Sequence, residues 1–132
     1  MHRNPDRPMS PHLTVWKWGP HMLVSILHRI TGAGLAIAGS AALVWWLTAL
    51  AAGPEAYESF TSWATHWVGI AVAVGLSWAF FQHLLSGIRH FVMDVGAGYE
   101  LSVNKFWALA TLVGALALTA ILWAYILREH WL

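Results

Sequence analysis

Three long runs without a charged side chain set the terms for this sequence: 25 residues between Arg29 and Glu55, 30 between Glu58 and Arg89, and 22 between Lys105 and Arg128. Each exceeds the ~20 residues that a helix needs to cross a bilayer core. The runs are continuously apolar rather than alternating, so backbone groups surrounded by lipid are satisfied by helices and not by a closed β-barrel. The expected fold is an all-α integral membrane domain with three transmembrane helices, at roughly 22–50, 62–91 and 105–129. Residues 1–21 form a short N-terminal segment, and residues 22–132 form the membrane domain.

Composition supports this class. Charged residues make up 10% of the 132 positions and apolar residues 58%, whereas a soluble domain is about 25% charged. A net charge of +1 gives no electrostatic footprint for nucleic acid, so the partners expected are lipid and other membrane subunits. The chain has no cysteine. It therefore cannot ligate an iron–sulfur cluster, and such chemistry would lie on another chain.

Gly53 and Pro54, with Glu55, Tyr57 and Glu58, supply the first connection, and Asp94–Asn104, with Gly96 and Gly98, the second. Short connections make the helices run up, down and up. Arg3, Arg7, Lys17, Arg29, Arg89 and Lys105 then share one side and Arg128 lies on the other, which places the N-terminus in the cytoplasm. The first apolar stretch begins only after Pro20 and is longer than a signal-peptide core, so it is expected to be retained. Residues 1–20 contain Asp6 and several prolines, unlike an Arg-rich mitochondrial presequence, which favours a bacterial cytoplasmic (inner) membrane.

An ionisable or polar residue inside a membrane helix is costly unless it faces protein, cofactor or water, which singles out Ser25, His28, Arg29, His66, His83 and His90. At helical spacing His83, Gly87, His90 and Asp94 form one stripe, and a histidine above a glycine suits a flat metal-bearing cofactor. His83 reads equally as a neutral imidazole bonded to a neighbouring helix. Two axial ligands must approach one iron from opposite faces, which His83 and His90 on one straight helix cannot do. His66 is ~25 Å of rise from His83 and reads as an interfacial polar residue. If His83 binds haem through two histidines, the second comes from a different chain. Ser25, Arg29 and Gly32 share a face of the first helix, with His28 beside it. Hydroxyl and guanidinium suit a quinone carbonyl, and cationic groups suit haem propionates. The alternatives are that Arg29 anchors topology at the interface and that Ser25 bonds its own backbone.

Three stretches, in this order, carry a resemblance: Arg7-Pro8-Met9-Ser10-Pro11-His12-Leu13, then Ser25-Ile26-Leu27-His28-Arg29-Ile30-Thr31-Gly32, then His83-Leu84-Leu85-Ser86-Gly87-Ile88-Arg89-His90 with Asp94 and Gly96 following. The chain resembles the cytochrome b membrane-anchor subunits of succinate dehydrogenase, in respiratory complex II. The resemblance implies that His83 is an axial ligand of haem b iron, that His28 and Arg29 lie at the haem propionates, and that Ser25 and Arg29 contribute to the ubiquinone site. It also implies three partners: a flavoprotein carrying FAD, an iron–sulfur subunit, and a second small anchor that supplies the other axial histidine. No dehydrogenase site is expected in this chain. Two alternatives are a fumarate reductase anchor and a cofactor-free membrane scaffold.

Overall fold

The computed structural model describes residues 17–131. The Arg7–Leu13 stretch lies outside them. Five α-helices follow one another: α1 (Pro20–Gly34), α2 (Ser40–Ala52), α3 (Pro54–Ala64), α4 (Trp67–Asp94) and α5 (Leu101–Trp131). A π-helical turn, Leu35–Gly39, joins α1 to α2 without a break, giving one span from Pro20 to Ala52. With Trp67–Asp94 and Leu101–Glu129, it makes three helical spans long and apolar enough to cross a membrane. Among the described residues there is no strand.

Helix ends follow local chemistry. Pro20 opens α1 and Pro54 opens α3, each at a first-turn position where a missing N–H costs nothing. Gly53 has φ of +109°, which an L side chain rarely adopts, and turns the chain between α2 and α3. At α4 the N-cap is His66, whose Nδ1 accepts from the Val68 N–H at 3.4 Å.

The structure corrects two boundaries. Residues 54–64, expected as a connection and the start of the second span, form a helix of their own, and the second span begins at Trp67. The Gly-Pro pair that marks a turn is also a helix-start signal, and the edge of the Phe60 ring packs against Trp45, centroids 5.0 Å apart, fastening α3 to α2. The second connection is also shorter, because Leu101–Asn104 already belong to α5.

Helix α4 packs against α5 and α1, and α1 also touches α5. Glycine sets the closest approaches: a Cβ at Gly114 would come within 3.0 Å of Leu85 Cδ1, and one at Gly32 within 2.8 Å of His83 Cε1. What lies inside is polar. Thr31, Gln82, Ser86, Arg89, Thr111 and Thr119 are buried, and among the described residues the buried apolar side chains are Val24, Ala49, Ala108 and Ala115. Large apolar side chains such as Ile37, Phe80, Phe91, Val113 and Ile121 point outward. This is the reverse of a soluble core and the arrangement expected where the surroundings are lipid or other apolar helices.

The buried polar groups mostly satisfy themselves. Hydroxyls of Thr31, Ser86 and Thr119 donate to the carbonyl one turn back, at 2.7, 2.6 and 2.7 Å, and that of Thr111 to Ala108 at 2.8 Å. The Trp123 indole N–H reaches the Ser77 hydroxyl at 3.3 Å, so this tryptophan pins α5 to α4 rather than only facing lipid. Arg89, which the sequence placed at the edge of the second connection, turns inward and donates from Nη2 to Asn104 Oδ1 at 2.7 Å. Gln82 is fully buried, and neither amide atom has a partner among the described residues.

Candidate cofactor and quinone site

The C-terminal halves of α1 and α4 meet around three histidines. Packing α1 on α4 at Gly32 brings the His28 and His83 rings face to face, with centroids 3.9 Å apart and planes inclined by 10°. The His90 ring stands edge-on to His28 at 5.1 Å. Of the polar and ionisable residues that the sequence singled out, His28, His83 and His90 therefore come together. His66 stands at the opposite end of α4, as its N-cap.

Each stacked imidazole is fixed through Nδ1. His83 Nδ1 lies 3.0 Å from the His28 carbonyl oxygen, and Thr31 Oγ1 is at 3.3 Å. His28 Nδ1 lies 2.7 Å from Ser86 Oγ, whose own hydrogen is directed at the Gln82 carbonyl. A carbonyl oxygen can only accept, so the hydrogen of neutral His83 belongs on Nδ1. Its Nε2 then carries a lone pair and has no protein partner among the described residues. That is the state in which imidazole ligates a metal, with the second nitrogen bonded to a backbone carbonyl. Among the described residues no group of three His, Cys, Asp or Glu side chains is arranged to hold a metal ion by itself. By the same test His28, with Nδ1 on Ser86, also has an unpartnered Nε2 among the described residues, so the site offers fewer than three donors, which suits a metal whose other ligands come from a macrocycle and from a second protein.

The glycine beneath His83 is Gly32, on the facing helix. Gly87, expected to clear space for a macrocycle beside His83, lies under His28, and a Cβ there would sit 3.7 Å from His28 Cε1. Sequence spacing within α4 could not show this, because it depends on the register between helices.

Ser25 is half-buried and Arg29 exposed on α1, the first about one turn before His28 and the second immediately after it. Neither side chain makes a hydrogen bond or ion pair among the described residues. Thr31, Thr48, Ser77 and Ser86 all bond a carbonyl three or four residues back, which Ser25 does not. Nothing in the structure joins Ser25 or Arg29 directly to the histidines. Sequence reasoning did not single out Thr31 and Ser86 in contact with the rings. Their signal was a hydroxyl three residues from a histidine in each motif.

The family model described as "Succinate dehydrogenase/Fumarate reductase transmembrane subunit" matches residues 3–122. The chain is 34% identical over 116 residues to the succinate dehydrogenase cytochrome b556 subunit of Paracoccus denitrificans, covering 88% of each chain. It is 36% identical over 118 residues to the cytochrome b556 subunit of Rickettsia conorii, covering 89% of this chain and 90% of that one. The mitochondrial cytochrome b560 subunit of Mus musculus is 34% identical over 117 residues, covering 85% of this chain and 66% of that one. With three membrane-spanning helices and bacterial relatives, the findings support a multi-pass protein of a bacterial inner membrane. The chain belongs to the family of succinate dehydrogenase and fumarate reductase transmembrane subunits, and it is a membrane-anchor subunit of complex II.

Proposed function

We propose that this subunit holds one haem b together with a second anchor subunit and contributes to a ubiquinone site, in electron transfer from succinate to quinone. The observation that carries the reading is the state of His83: Nδ1 is bound to the His28 carbonyl and Nε2 is left without a protein partner. When bound, haem b supplies a one-electron carrier. His83 Nε2 is the nitrogen that would ligate its iron from one face. A second protein ligand would come from the second anchor, because His90 is on the same helix as His83 and packs against His28.

His28 and Arg29 would hold the propionates. His28 Nδ1 is occupied by Ser86, so only the protonated ring would present an Nε2–H to a carboxylate, and Arg29 offers a guanidinium with no competing partner among the described residues. Ser25 and Arg29 would donate to a quinone carbonyl. Quinone reduction consumes two protons as well as two electrons, so these donors need access to water. In the proposed orientation they lie near the cytoplasmic interface, where the flavoprotein, with FAD, and the iron–sulfur subunit dock.

The purified complex tests this through its absorption with and without reductant. A reducible haem band associated with the anchor subunits is expected. Its absence from an assembled, active complex would leave a cofactor-free scaffold, in which the His83 bonds serve packing alone.

A further inference from the structure

Thr31 is 3% exposed and sits between the two helices that form the site. Its hydroxyl hydrogen is already committed: Oγ1 lies 2.7 Å from the Leu27 carbonyl and 3.2 Å from that of His28. The oxygen therefore offers a lone pair to its remaining neighbour, His83 Nδ1, at 3.3 Å. With the His28 carbonyl at 3.0 Å, the Nδ1–H is shared between two acceptors on one turn of α1. Thr48, which has the same pair of backbone bonds further along the same span, reaches no second helix among the described residues. Gly32 completes the seat, since a methyl group there would meet the imidazole at Cε1.

We propose that Thr31 is a positioning residue for His83: its hydroxyl oxygen helps hold the Nδ1–H, fixing ring orientation and strengthening Nε2 as a donor, while Gly32 keeps the seat open. The inference rests on haem ligation by His83. An acceptor at the distal nitrogen raises the basicity of a ligating imidazole, and a more basic ligand favours the oxidised metal. Thr31 thereby biases the carrier toward its oxidised form, and does so without touching haem or quinone.

Redox titration of the haem in the assembled complex tests this. Thr31→Val keeps shape and removes the acceptor, whereas Thr31→Ser keeps it. At a fixed ambient potential the ratio of reduced to oxidised haem should rise in Thr31→Val, with a ceiling of about fivefold reached if one ordinary hydrogen bond stabilised the oxidised state alone. Thr31→Ser should match the wild type. Equal ratios and equal haem content in Thr31→Val and wild type would overturn the proposal. Should Thr31→Val fail to assemble, Gly32→Ala gives the second arm: it should displace the ring and alter the haem spectrum or lower haem content, and an unchanged spectrum and content would overturn the proposed seat. A wild-type complex with no haem band overturns the ligand assignment itself, an outcome distinct from unaltered titration of a haem that is present.

Discussion

The imidazoles of His28 and His83 lie parallel, 3.9 Å apart, and the His28 main-chain carbonyl also takes the His83 Nδ1–H. One residue of α1 thus touches the proposed ligand twice, with its ring and with its backbone. Only the ring contact is sensitive to substitution at His28. His28→Leu should therefore keep the tautomer of His83 and retain haem, while weakening the hold on propionates. Haem content per assembled complex after detergent washing measures this. The expected result is slower retention loss than in a ligand substitution, and complete absence of haem would show that the His28 ring is indispensable to the site.

The proposed orientation puts residues 1–19 and 95–100 in the cytoplasm and α3 outside, following the six-to-one distribution of basic residues. The chain has no cysteine, so single cysteines report cleanly. Ser59→Cys on exposed α3 should react with an impermeant reagent added to intact cells, and Ser102→Cys should react only after permeabilisation. The opposite pattern reverses the orientation.

For the quinone site, Ser25→Ala removes a hydroxyl that bonds nothing within the described structure, so it should leave folding unchanged. Arg29→Lys keeps the charge that an interfacial anchor needs and loses the planar fork. Both variants should assemble and retain succinate oxidation by a soluble dye. Quinone reduction should fall about ten- to hundredfold, the effect of losing a hydrogen bond worth ~1.5–3 kcal/mol to a charged or polarised ligand. Normal quinone turnover in both would make these residues structural and move the quinone pocket to the partner chains.

Inside the bundle, Arg89 and Asn104 join α4 to α5 through one charge-assisted bond of 2.7 Å. Asn104→Leu leaves a buried guanidinium without its acceptor and should destabilise the assembled complex by about 1.5–3 kcal/mol, read as a lower thermal transition. Gln82→Leu should act in the other direction. It removes two amide atoms that are buried without partners and should raise the transition. A lower transition in Gln82→Leu would show that the amide is satisfied in the assembled complex.

How far the sequence reached can be traced residue by residue. The three spans were readable because lipid forbids charge over a fixed length, a constraint that acts on each run separately. Residues 54–64 were not, because Pro54, Glu55 and Glu58 suit a loop and a surface helix alike, and the decision falls to Phe60 meeting Trp45. Ser25, His28, Arg29 and His83 stood out as polar groups in apolar runs, and α1 and α4 do bring His28 and His83 together. Thr31, Ser86 and Gln82 did not stand out. A hydroxyl in a membrane helix ordinarily bonds its own backbone, and its second partner depends on how one helix is set against another. The inward turn of Arg89 escaped notice for a similar reason: the count of basic residues locates a side of the membrane, not the direction of a side chain.

The most direct test of the account is haem per assembled complex in His83→Leu beside His66→Leu. Neither His90, which packs on His28, nor His66, which caps the far end of α4, occupies the position of His83. The account predicts that His83→Leu loses its haem or rearranges its spectrum, while His66→Leu keeps wild-type absorption and stoichiometry. Unchanged spectrum and haem content in an assembled His83→Leu complex would contradict it.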